Sequence, residues 1–117
     1  MCIRDRGEGT QGHLDLVLLG VLAAGPGHGY AIITTLKQRS DGVLALPEGS
    51  VYPALHRLEE MGLVSSDWAE AGGRRRREYR LTPKGATALN SQRADWSSLS
   101  TAINAVLAGA PARLLTP

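Results

Sequence analysis

The chain has no phenylalanine and only one cysteine, Cys2, among its 117 residues. One thiol beside the start can build neither a disulfide framework nor a cysteine-ligated zinc site, and it is neutral about compartment. Long apolar runs are missing as well. The longest, Leu14 to Ala24, is interrupted by Asp15 and falls short of the roughly 18–20 residues that a membrane helix needs. Met1-Cys2-Ile3-Arg4-Asp5-Arg6 carries charges with no apolar stretch behind them, so no signal peptide is recognisable. These six residues look like a translated sequencing-adapter prefix and are set aside from fold reasoning. Groups for catalysis are equally scarce. His13, His28 and His56 are scattered, and no Cys or carboxylate stands at metal-ligand spacing with them. Gly25-Pro26-Gly27-His28-Gly29 lacks the third glycine of a dinucleotide loop and follows a helical pattern, so it reads as a turn between helices. No serine has a base and an orienting group in the pattern. The expectation is a soluble, cytoplasmic protein that is not an enzyme, with no metal, no cofactor and no membrane contact.

With 43% hydrophobic residues, the chain can bury one modest core, and this length suits a single domain. The net charge of +2 decides nothing, but its distribution does. Arg74, Arg75, Arg76, Arg77, Arg80 and Lys84 against Glu78 give +5 over Arg74–Lys84, leaving −3 for the other 106 residues. A local positive field of this kind is the footprint expected for a polyanion.

Along the chain, residues 1–12 are Gly-rich, polar and aperiodic, and read as a disordered arm. Leu14–Ala24, closed by Gly25-Pro26-Gly27, predicts a helix covered on several sides. His28–Arg39 predicts a second helix, with Tyr30, Ile33 and Leu36 on one stripe, stopped by Ser40-Asp41-Gly42. Glu48–Gly62 predicts a third. Val51, Ala54, Leu55, Leu58 and Met61 span about 120° of arc, while Tyr52, Pro53, His56 and Glu60 project opposite, with Arg57 at the flank. Pro53 suits only a first turn, so this helix should begin near Gly49 or Ser50 and end at a Gly62 cap. Leu63–Trp68 and Arg75–Leu81 read as a hairpin joined across Ala69–Gly73. Thr82-Pro83 reads as a cap followed by a first-turn proline. The helix it opens should run to about Leu107, with Leu89, Trp96, Leu99, Ile103 and Val106 as a coiled-coil-type seam. Residues 109–117 read as a frayed tail.

Three helices, a two-stranded wing and a long last helix make a mainly α fold with a small β-hairpin wing, a winged helix-turn-helix over 13–82 with a dimerisation helix over 83–108. Three stretches sharpen this. Leu14–Leu22 with Gly27-His28-Gly29-Tyr30-Ala31-Ile32, then Gly49-Ser50-Val51-Tyr52-Pro53-Ala54-Leu55-His56-Arg57-Leu58-Glu59-Glu60-Met61-Gly62, then Gly72–Gly85 with its Arg-rich run, Tyr79, Leu81-Thr82 and Gly85, resemble in order the opening, recognition helix and wing of PadR-like transcriptional regulators. The resemblance covers about residues 12–107. His13 departs from it, since the family commonly has Thr there.

The resemblance implies a homodimeric, usually repressive regulator on a near-palindromic double-stranded operator. The short tail matches the compact subfamily, which lacks an added effector domain. DNA contacts are expected from His28, Tyr30, Ser50, Tyr52, Pro53, His56, Arg57, Arg74, Arg75, Arg76 and Arg77. The intersubunit seam is expected from Leu89, Trp96, Leu99, Ile103 and Val106. Some members hold a flat aromatic effector against a tryptophan of the last helix, and Trp96 stands at that place. The competing reading is a winged-helix module that binds protein without reading DNA. A protein-binding helix would show an apolar exposed face, whereas Tyr52, His56 and Arg57 are polar-tipped.

Overall fold

The computed structural model describes residues 6–109. Its elements are α1 (Arg6–Ala24), β1 (Gly27–His28), α2 (Gly29–Arg39), α3 (Glu48–Glu60), β2 (Val64–Ala71), β3 (Arg74–Leu81) and α4 (Pro83–Ala108). The strands form one antiparallel sheet in the order β1-β3-β2. α1, α2 and α3 pack on the inner end of this sheet around Leu18, Leu19, Leu22, Ile32, Leu36, Val51, Leu55, Leu58, Val64 and Tyr79. Leucine and isoleucine fill most of this core. Tyr79 is its only fully buried aromatic ring among the described residues, in keeping with a chain that has no phenylalanine.

Several boundaries differ from expectation for identifiable reasons. α1 starts at Arg6 rather than Leu14, because adding turns to an existing helix costs little once it is nucleated. Of the expected disordered arm, residues 1–5 lie outside the described residues, as does the tail beyond the Gly109 cap. β1 was not foreseen. Gly27 and His28 continue out of the turn and pair with Tyr79 and Glu78, a two-residue strand too short to leave a periodic signal. α3 begins at Glu48, so Pro53 is its sixth residue and lies inside the helix, not in the first turn as expected. Proline has no N–H to offer the carbonyl of Gly49, which is an exposed residue.

The hairpin is longer and tighter than expected. Its strands run to Ala71 and Arg74 and are joined by Gly72 and Gly73 alone, at φ of 61° and 77°. Both residues must be left-handed in this two-residue turn, which glycine allows without strain.

α4 opens as the sequence predicts. Thr82 accepts from the Gly85 amide at 3.0 Å and Pro83 follows it. Its start is locked to the end of α3: Thr82 Oγ1 donates to the Gly62 carbonyl at 2.7 Å and Lys84 Nζ to the Met61 carbonyl at 3.0 Å. Gly85 makes that approach feasible, since a Cβ there would stand 2.0 Å from the Leu63 carbonyl oxygen. Leu89 corrects the seam. It is buried in the core of its own protomer, because the first turns of α4 pack on the body before the helix projects beyond it.

Candidate nucleic-acid interface

The N-terminal half of α3 sits beside the wing, with the β1–α2 corner between them. On α3 the buried stripe is Val51, Ala54, Leu55 and Leu58, so periodicity turns Ser50, Pro53 and His56 to solvent, and all three are exposed. Tyr52 is half-buried rather than projecting freely. Its ring lies over Gly29, where a Cβ would fall 2.3 Å from Tyr52 Cε1. Gly29 is therefore a close-approach glycine that seats the tyrosine against the start of α2.

Arg57 does not face outward. It is half-buried and turned back to α1, where it pairs with the Asp15 carboxylate. The helix carries Arg57 one residue beyond the exposed His56, and that rotation brings it to the side of α3 that meets α1. Burial holds Asp15 above the ordinary aspartate range, and Arg57, by its charge and its hydrogen bond, offsets this only in part.

His28 caps α2: its Nδ1 accepts from the Ala31 amide at 3.2 Å. The ring therefore presents a lone pair to the helix start, a use for this histidine that the sequence did not reveal. Arg76 Nη1 lies 3.4 Å from His28 Nε2, so the wing and the capped corner touch. Tyr30, on the next residue but one, is exposed.

On the wing, residues of one parity share a face. Trp68 stands opposite Arg77, Glu70 opposite Arg75, and Ser66 opposite the buried Tyr79. The Arg75 and Arg77 guanidinium carbons lie 5.0 and 5.3 Å from the Trp68 ring centroid. Arg77 Nε donates to Ser66 Oγ at 2.9 Å, and Ser66 donates to Glu59 of α3 at 2.7 Å. Burial, followed by the Glu59 carboxylate, pushes the Tyr79 hydroxyl above the ordinary tyrosine range. Arg80 is withdrawn into an ion pair with Glu78 at 2.9 Å. His28, Gly29, Tyr30, Tyr52, Trp68 and Arg74–Arg77 together line an open groove of about 580 Å³.

Trp68 and Glu59 were missed at the sequence level. Counting outward from a two-residue Gly72-Gly73 turn would have set Trp68 against Arg77, whereas the five-residue loop assumed there hides the register.

The geometry is that of a winged helix-turn-helix, and the sequence decides the family. A profile described as the transcriptional regulator PadR-like family matches residues 18–91. The chain belongs to this family.

Among relatives, the transcriptional regulator YqjI of Escherichia coli is 30% identical over 102 residues, which is 87% of this chain and 48% of that protein. The chain thus spans about half the length of that relative. A PadR-like regulator from Bacillus cereus superposes with a TM-score of 0.77 at 27% identity, covering 88% of this chain and 99% of the other. A PadR family regulator from Eggerthella lenta gives 0.72 at 30% identity, with 88% of each chain covered. These relatives are transcriptional regulators, not enzymes, and membership implies DNA-binding regulation. Among the described residues, no helix is long and apolar enough to cross a membrane.

Away from the groove, α4 carries a second apolar feature. Trp96, Leu99, Ile103 and Val106 are all exposed, Leu99 by 50% and Val106 by 75%. Trp96 meets His13 edge to face at 5.1 Å between ring centroids. A shallow pocket of about 200 Å³ beside them is lined by Leu16, Gln92, Asp95 and Leu99 as well.

Proposed function

We propose that this PadR-like regulator is a homodimeric repressor that reads near-palindromic duplex DNA and is relieved by a flat aromatic effector. The observation that carries the DNA reading is the convergence of His28, Tyr30 and Tyr52 with Arg74–Arg77 on one open groove beside the exposed Ser50, Pro53 and His56 of α3. α3 enters the major groove and its Ser50, Pro53 and His56 edge meets bases and phosphates. Tyr52, Tyr30 and His28 face the backbone at the helix start, and the arginines grip flanking phosphates. Arg57 is left out of this set, because its guanidinium is engaged by Asp15.

Dimerisation is supported by the outer part of α4. Trp96, Leu99, Ile103 and Val106 leave an apolar stripe along a helix that projects past the body, and a second α4 is the natural cover for it. A two-fold pair then sets two α3 helices in successive major grooves, about 34–36 Å apart. The indole of Trp96, in a T-shaped contact with His13, offers an aromatic surface near that axis. A ligand wedged there changes the angle between the two α4 helices. Because α4 is locked to the end of α3 through Thr82 and Lys84, the angle change reaches the recognition helices.

Selection of bound duplexes from a random pool tests the reading directly: two-fold symmetric half-sites are expected. With about three phosphates neutralised per protomer, log K should fall against log salt with a slope of about −5. Weak, salt-insensitive binding with no enriched sequence would replace this reading with that of a protein-binding module.

A further inference from the structure

The wing's arginines differ in what they touch. Arg80 is neutralised by Glu78 and Arg76 lies against His28. Arg75 and Arg77 instead rest on the ring of Trp68, which is 57% exposed although it is the largest side chain of the wing. An exposed tryptophan on a cationic hairpin calls for a physical reason, and the stacking supplies one. A guanidinium held over an indole by cation–π attraction keeps its full charge, and N–H donors that are not otherwise bonded stay available to an anion. A carboxylate partner would have cancelled the charge, whereas the indole orients without neutralising. Arg77 is held a second way, through Ser66 to Glu59 of α3, which ties the stack to the recognition helix.

We propose that Trp68 is a positioning residue for DNA binding: its ring holds Arg75 and Arg77 against mutual repulsion, and the Ser66–Glu59 link sets that pair at a fixed place relative to α3. The inference rests on the DNA-binding reading above. Without the ring the two arginines repel one another and spread over many rotamers that point away from the duplex, so fewer phosphates are neutralised in the complex.

The test is a salt titration of the full chain on a mixed-sequence duplex long enough for both half-sites, with wild type, Trp68→Ala, Trp68→Leu, Trp68→Phe and Ser66→Ala. Trp68→Ala and Trp68→Leu are expected to bind about tenfold more weakly. Their log K against log salt should flatten by about 0.9 for each phosphate that is no longer neutralised. Trp68→Phe, which keeps a π face, should retain most of the affinity and the slope. Leucine keeps apolar bulk but no π face, so it separates stacking from packing. Ser66→Ala should flatten the slope by about 0.9 per protomer, the share of one phosphate. A merely structural role would lower the active fraction and leave the slope alone. Wild type binding with its steep slope while Trp68→Ala matches it in slope and affinity would overturn the proposal and leave the DNA reading standing. Failure of the wild type to bind at low salt would overturn both.

Discussion

Asp15 and Arg57 show how one ion pair can remove a residue from a binding surface. Asp15 sits in the apolar run of α1 and is partly buried there, and its carboxyl is held above the ordinary value of 3.8 despite Arg57. A raised acid binds its proton more readily in the folded state, so this group adds stability below the unfolded value that is lost as pH rises through the folded one. Asp15→Asn removes that titration. Wild type is therefore expected to gain stability relative to Asp15→Asn as pH falls from neutrality toward about 4, which thermal melts of both proteins at several pH values would show. A relative loss on acidification would mean that Arg57 dominates the site. Gly29 sets a second residue-level constraint. Gly29→Ala drives a methyl into the Tyr52 ring and should cost about 1–3 kcal/mol while weakening DNA binding by displacing the tyrosine. If Tyr52 is the mediator, Gly29→Ala in a Tyr52→Ala background should weaken binding no further, a non-additivity that a double-mutant cycle measures.

At the level of elements, α3 carries a built-in weakness. Pro53 occupies its sixth position and is exposed, so it deletes one backbone hydrogen bond without adding core packing. Pro53→Ala should restore the bond to the Gly49 carbonyl and stabilise the protein by about 1–2 kcal/mol, once the looser unfolded chain is allowed for. The urea midpoint is the measurement, and a lowered midpoint would show that the ring's contacts outweigh the missing bond. The same substitution changes the outer edge of α3, so a gain in stability with a loss of DNA affinity would mark Pro53 as retained for binding. The wing shows the opposite economy. Its two-glycine turn is unstrained, and both of its faces are organised, one by Trp68 and one by the Arg80–Glu78 pair.

For the whole molecule, what counts is which apolar surface the monomer leaves open. The body closes on itself, and Leu89 belongs to that body. Beyond it α4 extends the molecule to 58 Å in its longest direction against 29 and 23 Å in the others. Its exposed stripe is the surface that a second copy would cover. Leu99→Glu places a charge at the middle of the stripe and is expected to give monomers that bind DNA poorly, since each monomer reaches only one half-site. Light scattering decides it: a mutant that stays dimeric would move the interface elsewhere.

Local chemistry in the chain was enough to specify the α3 stripe from Val51 to Leu58 (Met61, expected on it, lies past the helix end and is 48% exposed), the Thr82-Pro83 cap, the hairpin and the long last helix, because each rests on periodicity or on one residue's backbone preference. The family motifs were readable for the same reason. What residues distant in the chain do to one another was not readable. Asp15 claims Arg57, Gly29 admits the Tyr52 ring, Tyr79 recruits Gly27 into a third strand, and the core takes Leu89 from the seam. These pairings depend on the distances at which packed elements come to rest, and those are set by the filling of the shared core. The type of each element is thus a property of the sequence nearby, while the direction in which its functional side chains face was decided only when the helices closed around Leu18, Leu55 and Tyr79.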